Sequence, residues 1–339
     1  MQTTFRMEIS RRKSKTIKKG KSKMKEKMWA YLMHLGDNMW GDPGSNISFA
    51  PYCPELTVDE KVWKDTIDFL PTQGFNTVLI DVGDAIQYET HPEISVKGAW
   101  SKDKLKAELD RMRAMGLTPL PKLNFSAGHD AWLGEYSRML STSIYYQVCK
   151  DVISEVVEVF GNPELIHLGM DEEDPKNQGG LVFACVRQKD LWWHDLYYLF
   201  DVCEKNGVRP WVWSDYCWHN PEIFTEKMPK SVLQSNFWYN RMKKLPDGTY
   251  RELQARAYCF LEEKGYDQVP CVSFFEGYSP NAEETMRLGK EEIAPERLKG
   301  YMTAPWRNPR TISKYSLLDD AYRFAEARKI VYPETKWDE

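Results

Sequence analysis

The sequence predicts a single (β/α)8 barrel of the α/β class, and three observations carry that prediction. Eight short apolar runs bounded by turn residues alternate with longer stretches of 3.6-residue period. The long, polar, aromatic-rich segments almost all follow the apolar runs, whereas the returns from helix to strand are short. Once these units are assigned, the 339 residues leave no region for a second domain. A doubly wound sheet is the structural rival; the grouping of long loops after the strands favours the barrel.

In order, the first strand falls at 29–36, inside the run Met28 to Leu35, and the helix at 58–70 opens on a capping-box pattern, Thr57 with Glu60. Strands at 76–82, 118–125 and 165–169 alternate with helices at 102–115 and 143–160. The second half repeats the pattern, with strands at 209–213, 232–238, 269–275 and 300–306. Its helices fall at 189–206, 221–227, 251–264, 282–291 and 314–327. Gly74, Gly116, Gly161, Gly207 and Gly265 each sit just past a helical stretch and before a new strand. Pro221 behind Asn220 suits a first helical turn.

Hydrophobic content of 42% with 13% aromatics is enough to fill a large core without covalent staples. Cys53, Cys149, Cys185, Cys203, Cys217, Cys259 and Cys271 are widely spaced, odd in number and form no CxxC pair. That excludes a disulfide framework and a cysteine zinc site, and points to a reducing compartment. Residues 1–27 carry eleven Lys and Arg against Glu8 and Glu26, a net of +9, which leaves −13 for the rest of a chain at −4 overall. With no interleaved aromatics and no amphipathic period, this basic tail reads as solvated disorder and not as a nucleic-acid or membrane arm. The domain reading is therefore a tail at 1–27 and a barrel at 28–339. No segment reaches the ~18 to 20 apolar residues that span a bilayer. The expectation is a soluble, cytoplasmic chain, or an exported one if the true start supplies a signal peptide.

A barrel gathers its chemistry at the ends of its strands. Those ends carry His34, Asp37 and Trp40, then Asp81 and Asp84, then Asn124 and His129, then His167, Asp171 and Glu172. The later strands add Trp213 and Asp215, Trp238, Glu276 and Tyr278, and finally Trp306 and Arg307. Carboxylates mixed with tryptophans in one concave mouth suit a sugar. Aromatic faces cover the apolar ring face, while acids bind hydroxyls and protonate the glycosidic oxygen.

Three stretches then resemble one family. His167-Leu168-Gly169-Met170-Asp171-Glu172 is similar to the His-x-Gly-x-Asp-Glu motif of glycoside hydrolase family 20, the β-N-acetylhexosaminidases. Leu123 to His129, followed by Trp132, is similar to the segment after that family's third strand, and His91 to Trp100 to the one after its second. The resemblance implies substrate-assisted retention, in which the substrate's own 2-acetamido oxygen attacks the anomeric carbon. Glu172 would be the general acid and then base, and Asp171 would orient the acetamido nitrogen. His129 would tune the acid together with Asp84, or else Asp81, with His167 in support. Trp213, Trp238 and Trp306 would wall the sugar subsite, and Asp37, Asn124, Asp215, Glu276 and Tyr278 complete the substrate-binding set.

The chain departs from the family at several points. Leu35-Gly36-Asp37-Asn38 lacks the arginine that grips the outer hydroxyls, and Asn124 stands for an aspartate. Phe274-Phe275-Glu276 replaces Tyr-x-Asp, with Tyr278 as a displaced substitute, and Arg307-Asn308 replaces a glutamate after Trp306. A second mechanism therefore stays open: Glu276 as nucleophile opposite Glu172 as acid/base, roughly 5 to 5.5 Å apart. A sugar-binding barrel without catalysis is the third reading. The expected partner is a carbohydrate, as oligosaccharide or glycoconjugate. No cofactor and no metal are implied, because the chain lacks HxH and HExxH spacing. The family's accessory domain is not expected, which leaves barrel surface open to a homodimer.

Overall fold

Every residue of the first strand, Met28–His34 (β1), is buried, and so is every residue of Thr77–Asp81 (β2). Such runs belong to parallel strands covered on both faces. The computed structural model describes residues 27–47 and 50–334; apart from Lys27, the expected basic tail lies outside them. Thr118–Lys122 (β3), Leu165–His167 (β4), Arg209–Trp213 (β5), Leu233–Ser235 (β6), Cys271–Val272 (β7) and Gly300–Thr303 (β8) complete one parallel sheet. Its order is β6-β5-β4-β3-β2-β1-β8-β7. The ends meet through the bridges Gln234 to Gln268 and Phe237 to Cys271, with Cys271 N donating to Asn236 O at 2.9 Å. The sheet is thus a (β/α)8 barrel.

Residue parity sorts the core into two layers. Trp29, Tyr31, Met33, Val78 and Ile80 pack outward with the helices, while Met28, Ala30, Leu32, Leu79, Leu120, Leu165, Trp211 and Leu233 pack together in the lumen. Each fully buried aliphatic side chain contributes about 1.5–3 kcal/mol. Carrying the lumen parity one step further along the strands reaches His34, Asp81, Lys122, His167 and Trp213, a polar and aromatic layer above the apolar one. The site rests on that layer.

The helices run Glu60–Thr72 (α1), Lys102–Ala114 (α2), Ser143–Val159 (α3), Asp190–Lys205 (α4), Tyr216–His219 (α5), Pro221–Lys227 (α6), Leu253–Glu263 (α7), Asn281–Glu292 (α8) and Lys314–Val331 (α9). Two expectations need correction. The capping box at Thr57 does not form: Asp59 caps α1 by accepting from Lys61 N and Val62 N, while Thr57 donates its hydroxyl to Asp37 at 2.6 Å. The sixth and seventh strands are also shorter than their apolar runs, and after the seventh Gly277 N turns back onto Phe274 O at 2.9 Å and takes the chain off the ladder. No helix among the described residues is long and apolar enough to cross a membrane.

Candidate active site

The site begins where β4 ends. Gly169 has φ +71°, and a Cβ there would lie 1.9 Å from Asn124 Oδ1, so the close approach of β4 to the β3 loop requires glycine. Met170 and Glu172 also have positive φ, +73° and +53°. Each such non-glycine residue costs roughly 1–2 kcal/mol, and each is held by a side chain from a neighbouring strand. Asn124 Oδ1 accepts Met170 N at 3.2 Å, and Asp215 Oδ2 accepts Glu172 N at 2.9 Å. The double reversal separates two consecutive carboxylates. Asp171 stays buried, while the Glu172 side chain is 41% exposed.

His129 bridges the pair, with Nδ1 3.2 Å from Asp171 Oδ1 and Nε2 3.6 Å from Glu172 Oε2. Asn124 Nδ2 donates to the same Asp171 oxygen at 2.9 Å, and Oδ2 has no partner among the described residues. Burial opposes the ionisation of Asp171, but the positive charge of His129, its contact and that of Lys122 outweigh it and hold the carboxyl well below the usual carboxylate range. Glu172 moves the other way. Burial pushes it up, and the charge of Asp171 adds to this against the opposing pull of His129. Burial works against protonation of His129, yet the Asp171 carboxylate and then Glu172 raise it above 6.5. The donor atoms of all three side chains lie within 4.8 Å of one another, close enough to hold an ion.

Below them lies Lys122, fully buried and ion-paired with Asp81, with Nζ 3.5 Å from Met39 Sδ. Burial raises Asp81, but Lys122 and His34 overcome it and bring it down to about 2. His167 accepts Gly169 N on Nδ1 at 3.0 Å and packs on Trp211 and Trp213 at 4.9 and 4.7 Å. Burial, with Lys122 adding to it, pushes the His167 imidazole far down, so it is neutral.

Above this floor opens a cavity of about 630 Å³ that takes in Asp37, His129, Asp171, Glu172, Trp238, Glu276 and Trp306. Trp306 is a wall, 6.1 Å from the Trp40 ring and 6.0 Å from Trp213 beneath it. The other expected site residues lie outside the lining. Asn124, His167, Trp213 and Asp215 act from below. Asp84 takes Asn38 Nδ2 at 2.7 Å and makes no hydrogen bond or ion pair with His129, whose partners are Asp171 and Glu172. Burial, with the charges of Asp37 and Asp81 adding against the Asn38 bond, raises Asp84 to about 7. Tyr278 is turned away, its hydroxyl donating to Glu284 on α8 at 2.8 Å. Of the two further acids after Glu172, Glu173 accepts Arg187 Nε at 2.9 Å and Asp174 accepts Asn177 N at 2.9 Å, so both are structural.

Lys122, Tyr239 and Arg310 belong to the site although the sequence reading passed them over. A lysine inside the strand run Leu120-Pro121-Lys122-Leu123 was a usable signal, as was a tyrosine next to Trp238. Tyr239 lines the cavity, packs on Trp306 at 6.4 Å, and reaches Cys271 Sγ at 3.8 Å. Burial pushes its phenol far up, so it is a neutral donor. Arg310 lines the opposite rim, where Nη2 donates to Asp37 Oδ1 at 3.0 Å and Asn308 meets the same oxygen. Glu276 is exposed at the mouth, with Asn240 Nδ2 3.3 Å from its Oε2.

No protein-family model matches this chain, and no curated protein sequence does. Solved structures resemble it in fold. The chitobiase FjGH20 of Flavobacterium johnsoniae has a TM-score of 0.60 and 15% identity, over 80% of this chain and 46% of that one. The GH20 exo-β-N-acetylglucosaminidase of Vibrio harveyi has 0.57 and 14%, over 91% and 57%. The GH20 β-N-acetylhexosaminidase of Streptomyces coelicolor A3(2) has 0.60 and 10%, over 92% and 66%. This chain therefore spans about half to two thirds of those chains, and what it shares with them at such identities is the barrel.

Proposed function

We propose that this protein is a divergent glycoside hydrolase of the family 20 kind, which removes a terminal β-linked N-acetylhexosamine by substrate-assisted, retaining hydrolysis. One observation carries the reading: Asp171 and Glu172 enter one aromatic-walled cavity side by side, bridged by His129, with their acidities shifted in opposite directions. Pairs driven apart in this way mark acid and base roles. The fold likeness to a chitobiase and to N-acetylhexosaminidases supports the same substrate class.

In the first step the acetamido oxygen attacks the anomeric carbon as Glu172 gives its proton to the leaving glycosidic oxygen. Asp171, ionised, accepts the acetamido N–H through Oδ2 while positive charge develops on that group. Tyr239 donates its hydroxyl to the acetamido oxygen from the wall beside Trp306. In the second step water attacks the anomeric carbon, Glu172 takes the proton, and the acetamido group is restored. The rival nucleophile, Glu276, sits exposed at the rim with one amide in reach, a poor place from which to hold a carboxylate against an anomeric carbon.

The test is hydrolysis of paired aryl β-glycosides with and without the 2-acetamido group, in the presence and absence of a thiazoline that mimics the cyclised intermediate. Cleavage confined to acetamido sugars and blocked by the thiazoline is the expected result. Cleavage of plain glycosides untouched by the thiazoline would move the nucleophile to Glu276, and no cleavage of either would favour a binding-only barrel.

A further inference from the structure

We infer that Asp215, at the end of β5, is a positioning residue that aims the carboxyl group of Glu172 by holding its backbone; the inference rests on the proposed role of Glu172. Asp215 is half-buried and lies outside the cavity lining. Its Oδ2 accepts Glu172 N at 2.9 Å, and its Oδ1 is buried with no hydrogen-bond partner among the described residues. The bond falls on the residue whose φ of +53° decides where the acid points. Relaxation of Glu172 to an ordinary negative φ would swing its Cα–Cβ bond away from the cavity.

Asp215 itself is anchored. The preceding Ser214 N donates to Ser235 O at 2.9 Å in the ladder toward β6, and Asp215 O accepts Trp218 N at 2.9 Å in the first turn of α5. Glu172 O, for its part, only accepts Asp174 N at 2.8 Å within the same loop. The acid thus grows from β4 but takes its direction from β5. Burial and the neighbouring Asp171 charge push the Asp215 carboxyl far up, and an asparagine carbonyl can replace its accepting oxygen.

The experiment compares wild type, Asp215→Asn and Asp215→Ala on two acetamido glycosides, one with a dinitrophenyl leaving group that needs no proton and one with an alkyl leaving group that does. Asp215→Ala is expected to lose about 10²-fold in kcat on the alkyl glycoside, within about fivefold on the dinitrophenyl one, with KM little changed. Asp215→Asn is expected to restore both to within about fivefold. An equal loss on both substrates, or an asparagine variant as damaged as the alanine one, overturns the inference. Amide hydrogen exchange at Glu172 gives a readout that does not depend on activity. Slow exchange in wild type and Asp215→Asn with fast exchange in Asp215→Ala is expected, and equal exchange in all three overturns the positioning role. If wild type cleaves neither glycoside, the proposed function fails while the exchange result still decides whether Asp215 holds this turn.

Discussion

The two halves of the cavity are built in different ways. On the β3–β5 side, Asn124, His129 and Asp171 are buried and Asp215 is half-buried, and they are joined to one another or to Glu172 by contacts of 2.9 to 3.6 Å. On the β7–β8–β1 side, Glu276 and Arg307 are exposed, and the rim is tied mainly through Asp37, which gathers Thr57, Asn308 and Arg310. The first half can fix charges and protons because water is excluded there and each reorientation would strand a buried polar group. The second half is suited to selecting a ligand, since Glu276 and Arg307 face solvent and their charges are screened. Under the proposed function, chemistry and recognition are thus divided between a closely tied, rigid side and a solvent-exposed one.

This contrast is tested first where the expected effect is largest. Glu172→Ala should cost about 10²- to 10⁴-fold in kcat on substrates with poor leaving groups, and wild-type-like turnover would remove the acid from the rigid half. In the proposed role of general acid Glu172 acts in its protonated form, and because burial raises it, kcat/KM should fall as pH rises through that raised value. Asp171→Asn removes the adjacent anion, so the falling limb should move to lower pH. A limb that stays in place would show that the two carboxylates are not coupled.

Next in size is the floor. Lys122→Met leaves the Asp81 carboxylate in the lumen without its lysine, with His34 Nδ1 still 3.6 Å away, and should cost about 3–5 kcal/mol in denaturant unfolding at neutral pH. The Asp81 side of the pair carries the pH sign. Its value is about 2 when folded against an ordinary 3.8, so its contribution is present above that range and lost as pH falls toward 2. Loss of stability in the variant that is unchanged at acid pH would argue against this pairing. Tyr239→Phe, at the boundary of the two halves, should lower kcat by about 10- to 100-fold on acetamido sugars without affecting folding. The rim should give the smallest change: Arg310→Ala is expected to raise KM by about tenfold with kcat nearly unchanged. A large fall in kcat there would collapse the distinction between the halves.

What the sequence disclosed follows the same division. The strands were legible because burial on both faces leaves continuous apolar runs, and Asp171, Glu172 and His129 were legible because they sit at fixed steps beyond those runs. The rim was not. Arg310 reaches Asp37 across 273 positions, and no local pattern signals that meeting. Tyr278 was expected and Tyr239 was not, because the turn at Phe274 to Gly277 sends Tyr278 onto α8, and only the closed barrel brings the β6 loop against Trp306. Asp84 was assigned to His129 by position, but Asn38 from the neighbouring loop takes it first. Parity along a strand carries over into space, and loop geometry does not.

The strand order has a consequence for biosynthesis. β1 is made first among the strands, yet one of its two neighbours is β8, Gly300–Thr303, so its edge stays open until nearly the whole barrel has left the ribosome. Trp29, Tyr31 and the unpaired backbone of β1 are exposed for that interval, a template for association with other chains. Truncation just before Gly300 should therefore yield insoluble protein and not a smaller barrel, and the demand for chaperone protection should peak late in synthesis.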